Sequence, residues 1–165
     1  MFHFILAPRG ARTIDHKLTS LPWVIEVYRK ILGLSPNSVG LHRDIGIALS
    51  FQGKRQEAVA EVIQLHSPGI SAGQAVIYAR AGLRVEALKL LGELKERDAH
   101  ERVSPVTFAR VYVGLGDKEQ ALAQLRKAYQ EQSDHLLQIG TDPMLDPLRS
   151  DPRFIEMLRR VGLTP

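Results

Sequence analysis

The chain has 165 residues, the size of one ordinary domain, and its 44% hydrophobic but only 6% aromatic content leaves most of the packing to small and aliphatic side chains. Zero cysteines exclude disulfides, thiolate metal sites and cysteine nucleophiles, in keeping with a cytoplasmic protein. Twenty-two basic against eighteen acidic residues give +4, with the charges interspersed rather than gathered into a nucleic-acid arm, and no apolar run approaches a membrane span.

The first twenty residues show no period. Phe2–Leu6 is too short for a signal-peptide core, and Pro8 and Gly10 interrupt the chain directly after it, so an irregular segment is expected over 1–20. From Leu21 the pattern turns helical: Pro22 suits a first turn, Val24, Tyr28, Ile31 and Leu32 share a face, and Gly33 and Pro36 end the helix. This stretch reads as the second helix of a repeat whose first helix is missing.

Three glycines then set a register. Gly53, Gly82 and Gly116 each stand five residues before an alanine (Ala58, Ala87, Ala121), which is followed four residues later by Val62, Leu91 or Leu125. A helical pattern precedes each glycine, so a helix–turn–helix unit occurs three times, at intervals of 29 and 34 residues. Repeats of that period mark a solenoid. The glycine ends the first helix in a left-handed residue, and the alanine lets the two helices approach. The first pair takes Leu41, Ile45 and Leu49, then Gln56 to Leu65, and closes at Pro68-Gly69. The second runs from about Ser71 to Ala81 and from Val85 to Glu96. The third starts at Ser104-Pro105, a capping residue followed by proline, carries Phe108, Ala109, Tyr112 and Leu115 inward, and returns through Ala121, Leu122, Leu125, Ala128 and Tyr129.

Beyond Gln132 three Asp-Pro pairs fall close together, at Asp142, Asp146 and Asp151. Each can place an aspartate as N-cap before a helix-starting proline, and the last opens an amphipathic helix through Phe154, Leu158 and Val161 that Gly162 ends. A polar-faced terminal cap is expected here.

Ile45-Gly46-x-x-Leu49 with Gly53, Ala58 and Val62, Ala75-x-x-Tyr78 with Gly82, Ala87 and Leu91, and Phe108-Ala109-x-x-Tyr112 with Gly116, Ala121, Leu125 and Ala128 resemble the tetratricopeptide repeat. Tyr28 and Pro36 have the spacing found near the end of such a repeat. The tryptophan common early in the first helix is replaced by His42, Ser71 and Pro105, and the second repeat is short. The resemblance implies an all-α, right-handed solenoid of antiparallel helix pairs with C-terminal capping helices: a half-repeat over 21–36, repeats over 39–68, 70–99 and 104–132, together 21–132, and a cap over 133–165. The end of the chain from Ser104 is similar to bacterial tails that close such repeat regions in transcriptional regulators, protein kinases and nucleotide cyclases. A chain opening on half a repeat agrees with an absent upstream part.

Chemistry is hard to find in this sequence. The six histidines are scattered, with none in the i, i+4 arrangement of a zinc helix, and the Asp-Pro aspartates are explained by capping. There is no phosphate loop, serine elbow or paired-carboxylate signature, so no catalytic residue, metal or cofactor is expected. The remaining candidate is a groove, because the first helix of each pair lines the concave face in the resembled family. That assigns Arg43, Ile47, Ser50 and Phe51 from the first pair, Val76 and Arg80 from the second, and Val106, Arg110 and Val113 from the third. The three arginines would form a basic stripe suited to a peptide with acidic residues around an apolar anchor. The expected function is a non-catalytic protein-interaction module, with a ligand-sensing regulatory domain as the alternative. Ile47 stands where carboxylate-clamping members carry an amide, so a receptor for chaperone tails is not implied. Self-association through the half-repeat is a further expectation, and nucleic acid and membrane are not expected partners.

Overall fold

The computed structural model describes residues 22–63 and 71–164; the irregular segment expected over 1–20 and the turn at Pro68-Gly69 lie outside them. Every regular element among the described residues is helical. In chain order these are α1 (Pro22–Leu34), α2 (Val39–Phe51), α3 (Arg55–Val62), α4 (Ser71–Ala81), α5 (Arg84–Glu101), α6 (Pro105–Gly114) and α7 (Lys118–Gln130). Two 3-10 helices, Asp134–Gln138 and Pro143–Leu148, lead into α8 (Pro152–Val161).

The glycine register determines how the pairs close. Gly53, Gly82 and Gly116 have φ of 75°, 84° and 80°, a conformation that a side chain would strain. In each case the amide after the glycine donates to the carbonyl five residues back: Lys54 to Leu49 at 3.0 Å, Leu83 to Tyr78 at 2.9 Å and Asp117 to Tyr112 at 2.9 Å. These bonds satisfy carbonyls that the end of a helix would otherwise leave open. The second helix then returns, so α2 packs on α3, α4 on α5 and α6 on α7. Ala58, Ala87 and Ala121 are fully buried where the paired helices meet. The first helices also pack on one another, α2 against α4 and α4 against α6, and the second 3-10 helix follows α6. Gly46 and Gly114 allow that approach: a Cβ on Gly46 would lie 2.9 Å from Val62 Cγ1 and 3.0 Å from Ile77 Cδ1, and one on Gly114 would lie 2.8 Å from the Ala79 Cβ.

The apolar interior is divided. One cluster gathers Ile25, Ile45, Ala48, Leu49, Ala58, Val62 and Ile77, with Tyr28 and Leu32 against it. A larger one runs from Ala75 and Val76 through Leu91, Phe108, Tyr112 and Leu125 to Leu145, Leu148 and Phe154. Helix α4 serves both, presenting Ile77 to the first and Ala75 and Val76 to the second. The buried Gln74 amide donates to the Val62 carbonyl, tying α4 to the end of α3.

Several details differ from the sequence expectation. Helix α3 is described to Val62, and Leu65, where its end is expected, lies outside the described residues. Helix α5 continues past Glu96 to Glu101, since no glycine or proline interrupts Arg97–His100. It stops at Arg102, which takes φ 50° without being glycine, while the Asp98 carboxylate accepts the Val103 amide at 2.8 Å. Ser104 is the N-cap of α6, but its hydroxyl makes no capping bond and lies 3.3 Å from the Ser133 hydroxyl instead. Of the three Asp-Pro pairs, Asp142 and Asp151 cap as expected, accepting the Met144 and Arg153 amides at 2.9 Å each. Asp146-Pro147 starts nothing. It falls inside the second 3-10 helix, where Asp146 pairs with Arg149 at 2.6 Å. On α1 the inward face is Val24, Ile25, Tyr28 and Leu32, while Ile31 turns outward.

Candidate functional site

A cleft of about 400 Å³ opens where the first helices of the three pairs run side by side. Helix α2 contributes Arg43, Asp44 and Ile47, α4 contributes Ala72, Gly73 and Val76, and α6 contributes Thr107 and Arg110. The second 3-10 helix closes one end with Asp142, Pro143 and Met144. Helical spacing explains each contribution: residues three and four apart stand above one another on one face, as Arg43 and Ile47 do, and Gly73 and Val76, and Thr107 and Arg110.

The charges in the cleft are matched. Arg110 Nε donates to Asp142 Oδ2 at 2.6 Å, and the two side chains keep only 23% and 6% exposure. The other oxygen of Asp142 accepts the Met144 amide, so one carboxylate both caps the 3-10 helix and holds the arginine. Arg43 pairs with Asp44, Nη2 to Oδ1 at 2.9 Å, and remains 40% exposed. The stem of Arg43 passes over Gly73 so closely that a Cβ there would lie 2.7 Å from Arg43 Cγ. Apart from Gly73 and Thr107, the lining between the ion pairs is apolar: Ile47, Ala72, Val76, Pro143 and Met144.

Four of the nine sequence-assigned residues, Arg43, Ile47, Val76 and Arg110, thus line the cleft. Three others form a separate cluster at the end of α2. The Arg80 guanidinium stacks 4.2 Å from the centroid of Phe51 and donates through Nε to Ser50 Oγ at 3.2 Å, and Ser50 donates to the Ile47 carbonyl at 2.7 Å. Burial lowers the Arg80 pKa from its ordinary value, with Asp146 opposing the shift and Arg55 adding to it. The group stays charged, since an arginine starts so far above neutrality. Val106 and Val113 are buried in the larger apolar cluster, on the face of α6 turned to the core, and do not line the cleft.

The cleft residues outside the sequence assignment are Asp44, Ala72, Gly73, Thr107, Asp142, Pro143 and Met144. Extending each first-helix face by one turn towards its N-terminus gives Ala72 and Gly73 from Val76, and Thr107 from Arg110. Nothing in the spacing of Asp142 links it to an arginine 32 residues away.

A larger cleft, about 680 Å³, lies between the end of α5, the start of α6 and the end of α7. Its walls are polar, and its charges run in a chain from Asp98 through Lys127, 3.7 Å away, to Glu131 at 3.8 Å. It therefore presents no single sign of charge, and little apolar surface to anchor a ligand. His42 bridges Glu61 at 2.9 Å and the Pro36 carbonyl at 3.2 Å. Among the described residues no three His, Asp or Glu side chains converge as a metal site, and no helix is long and apolar enough to cross a membrane.

The chain matches no protein-family model, no curated protein and no solved structure.

Proposed function

We propose that the protein is a non-catalytic interaction module, a tetratricopeptide-like solenoid of helix pairs that binds a peptide segment of a partner protein in the cleft between α2, α4 and α6. The observation that carries this reading is the composition of the cleft: an apolar floor bracketed by two ion pairs and lined by the first helices of three consecutive pairs. An apolar side chain of the ligand would enter between Ile47, Val76 and Met144. Its backbone amides and carbonyls would meet groups of both signs, the charge pattern a peptide backbone itself presents. Acidic preference rests on Arg43: both cleft arginines hold a carboxylate, but the Arg43–Asp44 pair is the more exposed and the more open to exchange for a ligand carboxylate.

Selection of peptides from a random display library on the purified chain tests the proposal. Thr107→Trp, which fills the cleft from a partly exposed position, should weaken the selected peptides at least tenfold while leaving the far-ultraviolet spectrum intact. Selected peptides that bind Thr107→Trp as tightly as the parent would place the binding surface elsewhere.

A second reading, a small-ligand regulatory domain of a bacterial signalling or transcriptional regulator, is favoured by the cleft volume, which falls within the range of about 300–1,000 Å³ usual for small-molecule sites. A metabolite that raises the melting temperature of the parent and not of Thr107→Trp would select this reading. A broad screen without any shift would remove it.

A further inference from the structure

Helix α1 carries two apolar faces. Val24, Ile25, Tyr28 and Leu32 face the protein. Trp23, Val27, Ile31 and Leu34 do not; they are 52%, 41%, 43% and 86% exposed. Spaced four, four and three residues apart, these four line up as a single stripe along the helix. The stripe presents about 400 Å² of apolar side-chain surface, the scale at which exposed patches mark an interaction site. On the border away from the protein body, Glu26 and Lys30 stand one turn apart, both exposed.

We propose that this stripe is a self-association surface, and that it pairs with the same stripe of a second copy in antiparallel orientation about a two-fold axis. The order of the charges points to a second copy. A two-fold axis perpendicular to both helices brings each border of the stripe against the same border of the other copy, with its direction reversed. When Trp23 meets Leu34 of the second copy, Val27 meets Ile31 of that copy. The same register sets Glu26 against Lys30 of the second copy, and Lys30 against its Glu26, on the outer border. Two ion pairs therefore form from residues of one sequence, whereas a parallel pairing would bring opposite borders together and leave these charges apart. Two stripes and their charged borders approach the roughly 1,200 Å² at which stable interfaces begin. The surface is separate from the cleft, whose lining comes from α2, α4, α6 and the second 3-10 helix, so both can be occupied together.

The test uses the full chain in sedimentation equilibrium up to about 100 μM, a range that saturates micromolar association. Trp23, the only tryptophan, supplies a second readout. The average mass should rise from 18.4 kDa towards twice that value, and the tryptophan emission should shift to the blue along the same curve. Lys30→Glu and Glu26→Lys should each weaken association at least tenfold, because each places like charges in apposition, with circular dichroism unchanged at these exposed sites. An equimolar mixture of the two single variants should associate as the parent does, and so should the double variant. A full chain that stays monomeric throughout overturns the proposal. Blue-shifted emission that does not change with concentration in a monomer would assign the stripe to cover within the same chain, and overturns it as well. Association that neither single variant affects places the contact on another surface, with the same consequence.

Discussion

Replacing Asp142 by alanine should be among the more damaging single changes outside the apolar core. Asp142 is 7% exposed as a residue, and its two oxygens serve different partners: Oδ2 takes the Arg110 Nε proton at 2.6 Å and Oδ1 the Met144 amide at 2.9 Å. Removing one partner of a fully buried ion pair costs about 3–5 kcal/mol, because the other charge stays desolvated without compensation. Arg110 retains 23% exposure and can recover some hydration, which reduces that part to about 2–3 kcal/mol. Loss of the cap on the 3-10 helix adds about 1 kcal/mol. Asp142→Ala should therefore lose about 3–4 kcal/mol, or about 6–15 °C in melting temperature for a chain of this length. Arg110→Met leaves the cap in place but strands the carboxylate, at about 2 kcal/mol. If the pair is the main term, Asp142→Ala and Arg110→Met combined should cost no more than Asp142→Ala alone, with a coupling of about 2 kcal/mol in urea denaturation followed by circular dichroism. Additivity within about 0.5 kcal/mol would show that the two side chains are neighbours without being energetic partners, and the reasoning would fail.

Gly116→Ala should cost about 1–2 kcal/mol in chemical denaturation, since its φ of 80° is left-handed and nothing within 4 Å crowds the added methyl. Gly92→Ala, inside α5 and equally uncrowded, should stabilise by about 0.5–1 kcal/mol, so the two alanines move the midpoint in opposite directions. Asp117→Ala should cost about 1 kcal/mol because its carboxylate accepts the Gln120 amide at 3.0 Å, whereas Ser104→Ala should cost less, its hydroxyl making no capping bond. Hydrogen bonds from Arg153 hold the Asp151 carboxyl down at about 2 and keep that of Glu119 below its usual value. Both pKa values fall on folding, so the stabilisation is full above the unfolded carboxylate pKa of about 4 and disappears as the pH drops towards about 2. Acid denaturation of Arg153→Gln should accordingly be shallower across that window, with little difference between the proteins at the bottom of it.

What the sequence made legible was what local rules govern. The glycine–alanine register follows from the left-handed residue a tight helical turn needs and from the room two close helices allow, and both act over a few residues. The splitting of the site residues was less visible, because one helix face is wider than one cleft. Val106 and Arg110 differ by four positions, yet the first is buried in the core and the second reaches the cleft. Arg80 reads as a free groove cation until the ring of Phe51, from another helix pair, is set beneath it. Asp142 satisfies the capping rule so well that the rule conceals its second partner. The end of α5 illustrates a different limit: Arg102 in a left-handed conformation is supported by an Asp98 side-chain bond that no glycine announces.

The division of the interior has a mechanical consequence. The two apolar clusters share only α4, so any tilt of the part carrying α2 against the part carrying α6 would have to turn about that helix. The cleft lies across that seam, with Arg43 and Ile47 on one side and Thr107 and Arg110 on the other. Its width would register such a tilt, and a ligand seated between Ile47 and Arg110 would bear on the angle between the N-terminal helices, with the exposed stripe on α1, and the rest of the protein.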